Sequence, residues 1–360
     1  MCISPLKIPN PNYGLSKVGL NRLKDTVHSY LSVPCGYCSE CIHRRQSDYI
    51  QRLVMEEQYR HLFFCTITYQ NSAIPVITDS NGYEHRFADV RDVQNMIKRI
   101  RKNNLFGRDF RYFAVSELGS KRGRPHFHII FAVNKQPDDD FLTIVSLEHQ
   151  YFNAVLNEWR RNIGSTRKPE YVPLCKYVRY YTRNGVRSTY DFHYISPRNG
   201  SRDCSNVGFY VLKYMLKPSD KAVRLQRALR LNLPEDEYKS IWSIIKPRTF
   251  KSLHFGDDVF IKGVPVTFDI EMYISNCIRK SPRDKYPMFF NPSTGQSFVL
   301  SDYYKKRFLT VSEALKFPLP DERPEPEHDH ISQLLTKECK HEKIKSIEES
   351  RDIFDDFPFE

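Results

Sequence analysis

The sequence predicts an α+β chain built on a central antiparallel β-sheet flanked by helices. Three observations predict it. Short runs rich in β-formers recur at Phe63 to Tyr69, Arg111 to Glu117 and His126 to Val133. Stretches with helical periodicity lie around these runs, without the strict strand–helix alternation of a doubly wound parallel sheet. Turn-forming residues from Gly119 to Pro125 join the last two runs, as expected of a hairpin.

Taken in order, the first element is a helix from about Ser39 to Tyr59, followed by the strand Phe63-Phe-Cys-Thr-Ile-Thr-Tyr69. Asp89 is placed to cap a helix in which Val90, Val93, Ile97 and Ile100 share one face. The strands Arg111 to Glu117 and His126 to Val133 come next. Asp138, Asp139 and Asp140 read as an exposed loop before a helix from about Ile144 to Asn162. A further helix at Phe209 to Lys217 should stop at Pro218, which cannot continue the hydrogen-bond ladder. The 360 residues allow roughly two domains. They divide into a Cys-rich segment and helix (1–60), a central domain (61–256), a C-terminal extension of the body (257–316) and an acidic tail (317–360).

Charge is segregated along the chain. The formal charge is +12, with 55 Lys+Arg against 43 Asp+Glu. From Phe317 onward there are 13 acidic and 6 basic residues, a net of −7, which leaves +19 on the body. The tail opens on a proline-spaced acidic stretch that reads as an extended linker, with a short amphipathic helix expected around Ile331 to Ile347. A basic body with 22 Tyr and 24 Phe points to a polyanionic partner, foremost nucleic acid. No run approaches the 18 or so apolar residues of a membrane-spanning helix. Nine unevenly spread Cys argue against a secreted disulfide scaffold and for a reducing cytoplasm.

The sharpest local feature is Arg124-Pro-His-Phe-His-Ile-Ile-Phe131. Side chains alternate across a strand, so His126 and His128 share one face while Phe127, Ile129 and Phe131 enter the core from the other. Glu117 ends the preceding strand and returns close to the two imidazoles if Leu118 to Pro125 is the connecting loop. A His₂–carboxylate set can hold one divalent cation and leave open positions for a substrate oxygen. Lys121, Arg122 and Arg124 in that loop suit phosphates. His193 and the Asp138 to Asp140 run are weaker metal candidates. A strand His pair is also common without any metal.

The second feature is Phe209-Tyr-Val-Leu-Lys-Tyr-Met-Leu-Lys217. At 100° per residue, Tyr210, Lys213, Tyr214 and Lys217 fall on one arc of about 100°, opposite Val211, Leu212, Met215 and Leu216. A phenol has a pKa of about 10, so on the order of 0.1% is ionised at neutral pH, and as a nucleophile it needs a nearby cation or an activated target. Taken alone, the helix is equally an amphipathic surface helix with snorkelling Tyr and Lys. Between Arg160 and Arg202, basic and aromatic residues interleave, a pattern suited to phosphates and exposed bases or simply to a solvated basic face.

Cys35, Cys38 and Cys41 form C-x₂-C-x₂-C, and Cys2 completes a set of four. A structural zinc site fits this set, an iron–sulfur cluster accepts similar spacing, and reduced thiols near a helix start are the plain alternative.

Together, His126-Phe127-His128, Tyr210-Val-Leu-Lys-Tyr-Met-Leu-Lys217, Pro34-Cys-Gly-Tyr-Cys-Ser-Glu-Cys41 and Ser116-Glu-Leu-Gly resemble the HUH-superfamily rolling-circle replication initiators, specifically those of the gokushovirus branch of the Microviridae. The resemblance runs from about Cys2 to about Gly256. It implies an HUH-endonuclease-like domain with an RRM-like core at 61–256. It implies a metal-dependent endonuclease that nicks one strand at an origin, with Tyr210 or Tyr214 joined to the 5′-phosphate and a 3′-hydroxyl left as primer. The strand is rejoined after one circuit. His126 and His128 would hold Mg²⁺ or Mn²⁺, with Glu117 as third ligand and Lys213 and Lys217 near the phosphate. Single-stranded and origin DNA, with host helicase and polymerase, would be partners in the cytoplasm of an infected bacterium. An HUH transposase or relaxase, and a non-enzymatic zinc-containing DNA-binding protein, are the rival readings.

Overall fold

The computed structural model describes residues 6–11, 13–14, 28–35, 39–119, 123–182, 185–195, 220–257, 269–281, 287–292, 295 and 297–308. The expected Tyr/Lys helix at 209–217, the acidic tail, Cys2, Cys38, Lys121 and Arg122 lie outside the described residues. The chain divides into two compact units, 1–280 with 288–309 and 281–287 with 310–360. Every element below belongs to the first.

A two-stranded ribbon opens the chain, β1 (Leu6–Pro9) against β2 (Tyr30–Val33). Helix α1 (Ser39–Tyr59) runs directly into β3 (Arg60–Thr68). A small hairpin, β4 (Val76–Thr78) with β5 (Glu84–Arg86), leads to α2 (Val90–Lys102). The hairpin β6 (Phe110–Leu118) and β7 (Pro125–Asn134) is followed by α3 (Phe141–Glu158). Short ribbons pair β8 (Arg160–Asn162) with β9 (Tyr171–Pro173) and β10 (Arg179–Thr182) with β11 (Gly185–Ser188), before β12 (Tyr190–Tyr194). Helices α4 (Asp220–Asn232) and α5 (Glu235–Ile245) precede β13 (Thr249–Lys251) and α6 (Ile270–Lys280). A ribbon of β14 (Met288–Phe290) and β15 (Ser297–Val299) and the short α7 (Asp302–Phe308) end the described chain. Among the described residues, no helix is long and apolar enough to cross a membrane.

The central sheet has the order β12-β3-β7-β6-β13, and every neighbouring pair is antiparallel. Alternation on β7 sends Phe127, Ile129, Phe131 and Val133 into one core, where they meet Val93, Met96, Ile97 and Ile100 of α2 and Tyr151 and Val155 of α3. Asp89 caps α2 as expected, its side chain accepting from the Arg91 backbone N–H. The other face of the sheet meets α1, where Tyr49 packs 5.1 Å from Phe113 between ring centres. Glu56 of α1 accepts from Arg60 at 2.6 Å, from Arg111 at 3.1 Å and from the Gly256 N–H at 2.5 Å. Gly256 has φ +82°, and a Cβ there would collide with the Arg52 Cβ, so only glycine closes this junction. The sheet is therefore clamped between α2/α3 and α1, and one of its ends is left to carry polar groups.

Two expectations are corrected. The helix expected at about Ile144 to Asn162 spans Phe141–Glu158, because Asp140 caps its start by accepting from Thr143 N–H. At its end, Arg99 donates to the Glu158 carbonyl at 2.6 Å and the indole of Trp159 donates to the Thr68 carbonyl. These partners take over from the helix ladder, and Arg160–Asn162 continues as strand β8. Asp139 is not an exposed loop residue: it is clasped by Arg108 at 2.6 and 2.7 Å and by His61 at 2.8 Å, with its side chain 3% exposed.

Candidate metal centre

The register of β6 on β7 sets Glu117 directly across from His126 and Val115 across from His128. Residues two apart on β7 share a face, so both imidazoles and the carboxylate converge on the sheet face away from α2 and α3. Glu117 Oε2 lies 3.2 Å from His126 Nε2 and 3.3 Å from His128 Nε2. The two rings stand nearly perpendicular, 4.9 Å apart. Glu117 and His128 are buried and His126 is half-buried, so one side of the trio meets solvent. A cation held at about 2.1 Å by ligands at right angles would space neighbouring donors about 3.0 Å apart. The residues present fit a divalent ion on this ground, with two nitrogens, one oxygen and an open side.

Groups behind the trio fix the ring orientations. His126 Nδ1 lies 3.0 Å from the Arg124 carbonyl, which can only accept, so Nδ1 carries the proton and Nε2 turns inward. His128 Nδ1 lies 3.0 Å from Thr66 Oγ1, and Thr66 is the residue opposite His128 in the β3–β7 register. Arg124 is itself held, its guanidinium donating to the Tyr69 carbonyl and to Asn71 Oδ1.

Burial resists ionisation of the Glu117 carboxyl, but the hydrogen bonds from His126 and His128 outweigh it and bring the group down to about 2. Burial lowers the pKa of His128, against the pull of Glu117. A carboxylate kept charged and an imidazole kept neutral are the protonation states a metal ligand needs.

Glu117, His126 and His128 are thus brought together as the sequence predicts. Tyr210, Lys213, Tyr214 and Lys217 lie outside the described residues. Of the four cysteines, Cys35 and Cys41 are described, with sulfurs 4.0 Å apart. His193 does not join the trio; it lies 3.5 Å from Asp191 and beside the Phe64 ring. The basic stretch is partly structural: Arg161 pairs with Asp92 at 2.6 Å and Arg160 with Glu158 at 3.0 Å. Arg124, expected to offer its charge to a phosphate, spends it on the β3 end. Thr66 escapes sequence reasoning because only the strand register sets it against His128, although its place in the run of β-formers is visible.

Beside the hairpin end lies an open cleft of about 530 Å³, lined by Glu84, His85, Arg86, Leu118, Gly123 and Arg224. Leu118 adjoins Glu117 in sequence, so the cleft borders the trio. Its far wall is α4, which packs on the β4–β5 hairpin through Leu225 and Leu229 against Ile77 and Phe87. Arg86 and Arg224 are exposed on its two sides. The arrangement offers cations for an anionic chain that leads to a metal-binding end of the sheet.

Residues 62–219 match the family model of the replication-associated protein ORF2. The chain is similar to the replication-associated protein ORF4 of Chlamydia phage 1, at 27% identity over 100 residues, 27% of this chain and 23% of that protein. It is also similar to the A′ protein of Enterobacteria phage S13, at 25% identity over 226 residues, 59% of this chain and 41% of that protein. The chain thus spans less than half the length of either relative. No solved structure matches.

Proposed function

We propose, on the premise that residues 62–219 make this chain a phage replication-associated protein of the ORF2 family, that it is an endonuclease that nicks and rejoins one DNA strand at an origin. The observation that carries the reading is the convergence of Glu117, His126 and His128 within the matched segment. A bound Mg²⁺ or Mn²⁺ would polarise the scissile phosphate and stabilise the charge that builds on its oxygens. His126 and His128 offer neutral Nε2 donors and Glu117 a charged oxygen, while Thr66 and the Arg124 carbonyl hold the imidazoles in register.

The nucleophile is the phenol oxygen of Tyr210 or Tyr214. It bonds to phosphorus as the P–O3′ bond breaks, and the leaving 3′-oxygen takes up a proton to become the primer hydroxyl. The result is a 5′-phosphotyrosine link. Lys213 and Lys217, on the same helical arc by sequence, supply positive charge to the phosphate. After one circuit the second tyrosine cuts the regenerated origin, and the freed 3′-hydroxyl attacks the first phosphotyrosine to close the strand. Single-stranded origin DNA is the substrate. Host helicase and polymerase extend the primer in the cytoplasm of the infected bacterium.

Incubation of the full chain with a single-stranded origin oligonucleotide and Mn²⁺ tests this. A covalent protein–DNA band is expected, lost in EDTA and in the Tyr210→Phe/Tyr214→Phe double variant. Retention of DNA without cleavage, or an adduct that survives the double substitution, overturns the reading.

A further inference from the structure

The C-x₂-C-x₂-C segment is the motif that the candidate active centre leaves unused. Cys35 Sγ and Cys41 Sγ stand 4.0 Å apart, Cys41 buried and Cys35 half-buried. A disulfide would hold the sulfurs at about 2.05 Å. Thiolates bound tetrahedrally to zinc at about 2.3 Å lie about 3.8 Å apart along each edge of the tetrahedron. The observed separation matches that edge. Cys41 also falls in the first turn of α1, where the exposed N–H groups and the helix dipole favour a thiolate.

The sequence objection to a four-cysteine site is that Cys2 stands 33 residues before Cys35. The N-terminal ribbon removes it. Leu6 pairs with Val33, so the chain leaves the ribbon toward Cys2 and toward Cys35 from the same end. Cys35 is two residues beyond Val33 and Cys2 four residues before Leu6. Four residues of chain reach up to about 14 Å. Cys38 lies between the two described cysteines in sequence.

We propose that Cys35 and Cys41, with Cys38 and Cys2, bind a structural Zn²⁺ that pins the β1–β2 ribbon to the start of α1. The consequence is mechanical. The other end of α1 runs without a break into β3, which carries Thr66 behind the metal trio. A zinc clamp at one end of α1 fixes the element that supports the sheet.

Metal analysis of the full chain, purified without chelator, tests the proposal. The His126→Ala/His128→Ala variant is measured in parallel, so that an ion at the trio is not mistaken for the clamp. One zinc per chain is expected in both proteins. The Cys35→Ser/Cys41→Ser variant should fall to background, and cobalt exchange should give the visible bands of a tetrahedral thiolate site. Cys2→Ser alone should weaken zinc retention against a chelator at least tenfold. Absence of zinc from the wild-type chain, retention of zinc by the Cys35→Ser/Cys41→Ser variant, or iron with labile sulfide in its place overturns the assignment. If the cysteine variants misfold, the cobalt spectrum of the wild-type chain still decides, because a spectrum without thiolate character sinks the proposal. The adduct assay reads the tyrosine chemistry separately, so either proposal can fail without the other.

Discussion

The central sheet carries a histidine–carboxylate cluster at each end, and the two are built for different work. At one end His61 meets Asp139, and Arg108 clasps the same carboxylate with two hydrogen bonds. At the other end His126 and His128 meet Glu117, and no Lys or Arg among the described residues pairs with it. Both carboxyls are held down at about 2. The causes differ. Asp139 is balanced chiefly by a guanidinium, a partner that never leaves and fills the site. Glu117 is held by two imidazoles whose other nitrogens are anchored behind them, an arrangement in which an incoming cation can replace a proton. The same residue types thus make a finished ion pair at one end and a receptive site at the other, and the difference lies in who neutralises the carboxylate.

The largest expected effect breaks this comparison outright. His126→Ala/His128→Ala should reduce Mn²⁺-dependent adduct formation to background while leaving the thermal midpoint close to wild type. His61→Ala should leave the adduct yield intact below the melting temperature. Equal losses of adduct in both variants would show that the two clusters are not distinct in role.

Next comes stability. Asp139→Ala leaves Arg108 buried without its partner and should cost about 3–5 kcal/mol in urea unfolding. The pH dependence carries a defined sign. Burial raises the Asp139 carboxyl, but the hydrogen bond from Arg108 and its neighbours prevails and lowers it from 3.8 to about 2. Its stabilisation is therefore complete above 3.8 and fades as the pH falls toward 2. Burial lowers His61 below 6.5, which adds a loss that begins as the pH drops under that value. Asp139→Asn should flatten the acid limb of the stability curve measured by urea unfolding between about pH 5 and about pH 2.5. A limb of unchanged slope would mean that Glu117 and other carboxylates carry it.

How much of this can be read from the sequence follows from the range of the interactions. The hairpin and its trio are legible because strand alternation and a short connection are local: Glu117 and His126 find each other through nearby residues. The Asp89 cap and the core faces of α2 and β7 are legible for the same reason. Asp139 reads wrongly as exposed because its partners, Arg108 and His61, lie 31 and 78 residues away. Arg124 looks like a free cation because nothing local announces the Tyr69 carbonyl, 55 residues distant, that binds it. Thr66 is hidden in the same way, since it meets His128 only through the register of β3 on β7.

Thr66 supplies an intermediate effect that sharpens the account of the receptive end. Thr66→Val keeps the shape but removes the hydroxyl at His128 Nδ1. Loss of such a partner typically costs 10–100-fold in metal affinity, and isothermal titration with Mn²⁺ in the absence of DNA should show a loss in that range. Thr66→Ser should restore most of it, and adduct yield at saturating Mn²⁺ should approach wild type. A Thr66→Val protein that binds Mn²⁺ as tightly as wild type would make the hydroxyl a packing detail.

The smallest effect concerns the cleft, where the comparison extends from the ion to the chain that must reach it. Arg86 and Arg224 stand on opposite sides of an open groove beside Leu118, while the Asp139 end turns its arginine inward. Exposed cations act on a polyanion mainly through counterion release, so removing one phosphate-neutralising side chain should lower the salt slope of binding by about 1. Arg86→Ala/Arg224→Ala should therefore weaken single-stranded DNA binding several-fold at low salt and flatten its salt dependence by up to about 2. Adduct formation at saturating DNA should be unchanged, because neither residue touches the trio. A variant with wild-type salt dependence would move the DNA path off this groove, and a variant that binds normally but fails to form adduct would place one of the two arginines at the scissile phosphate itself.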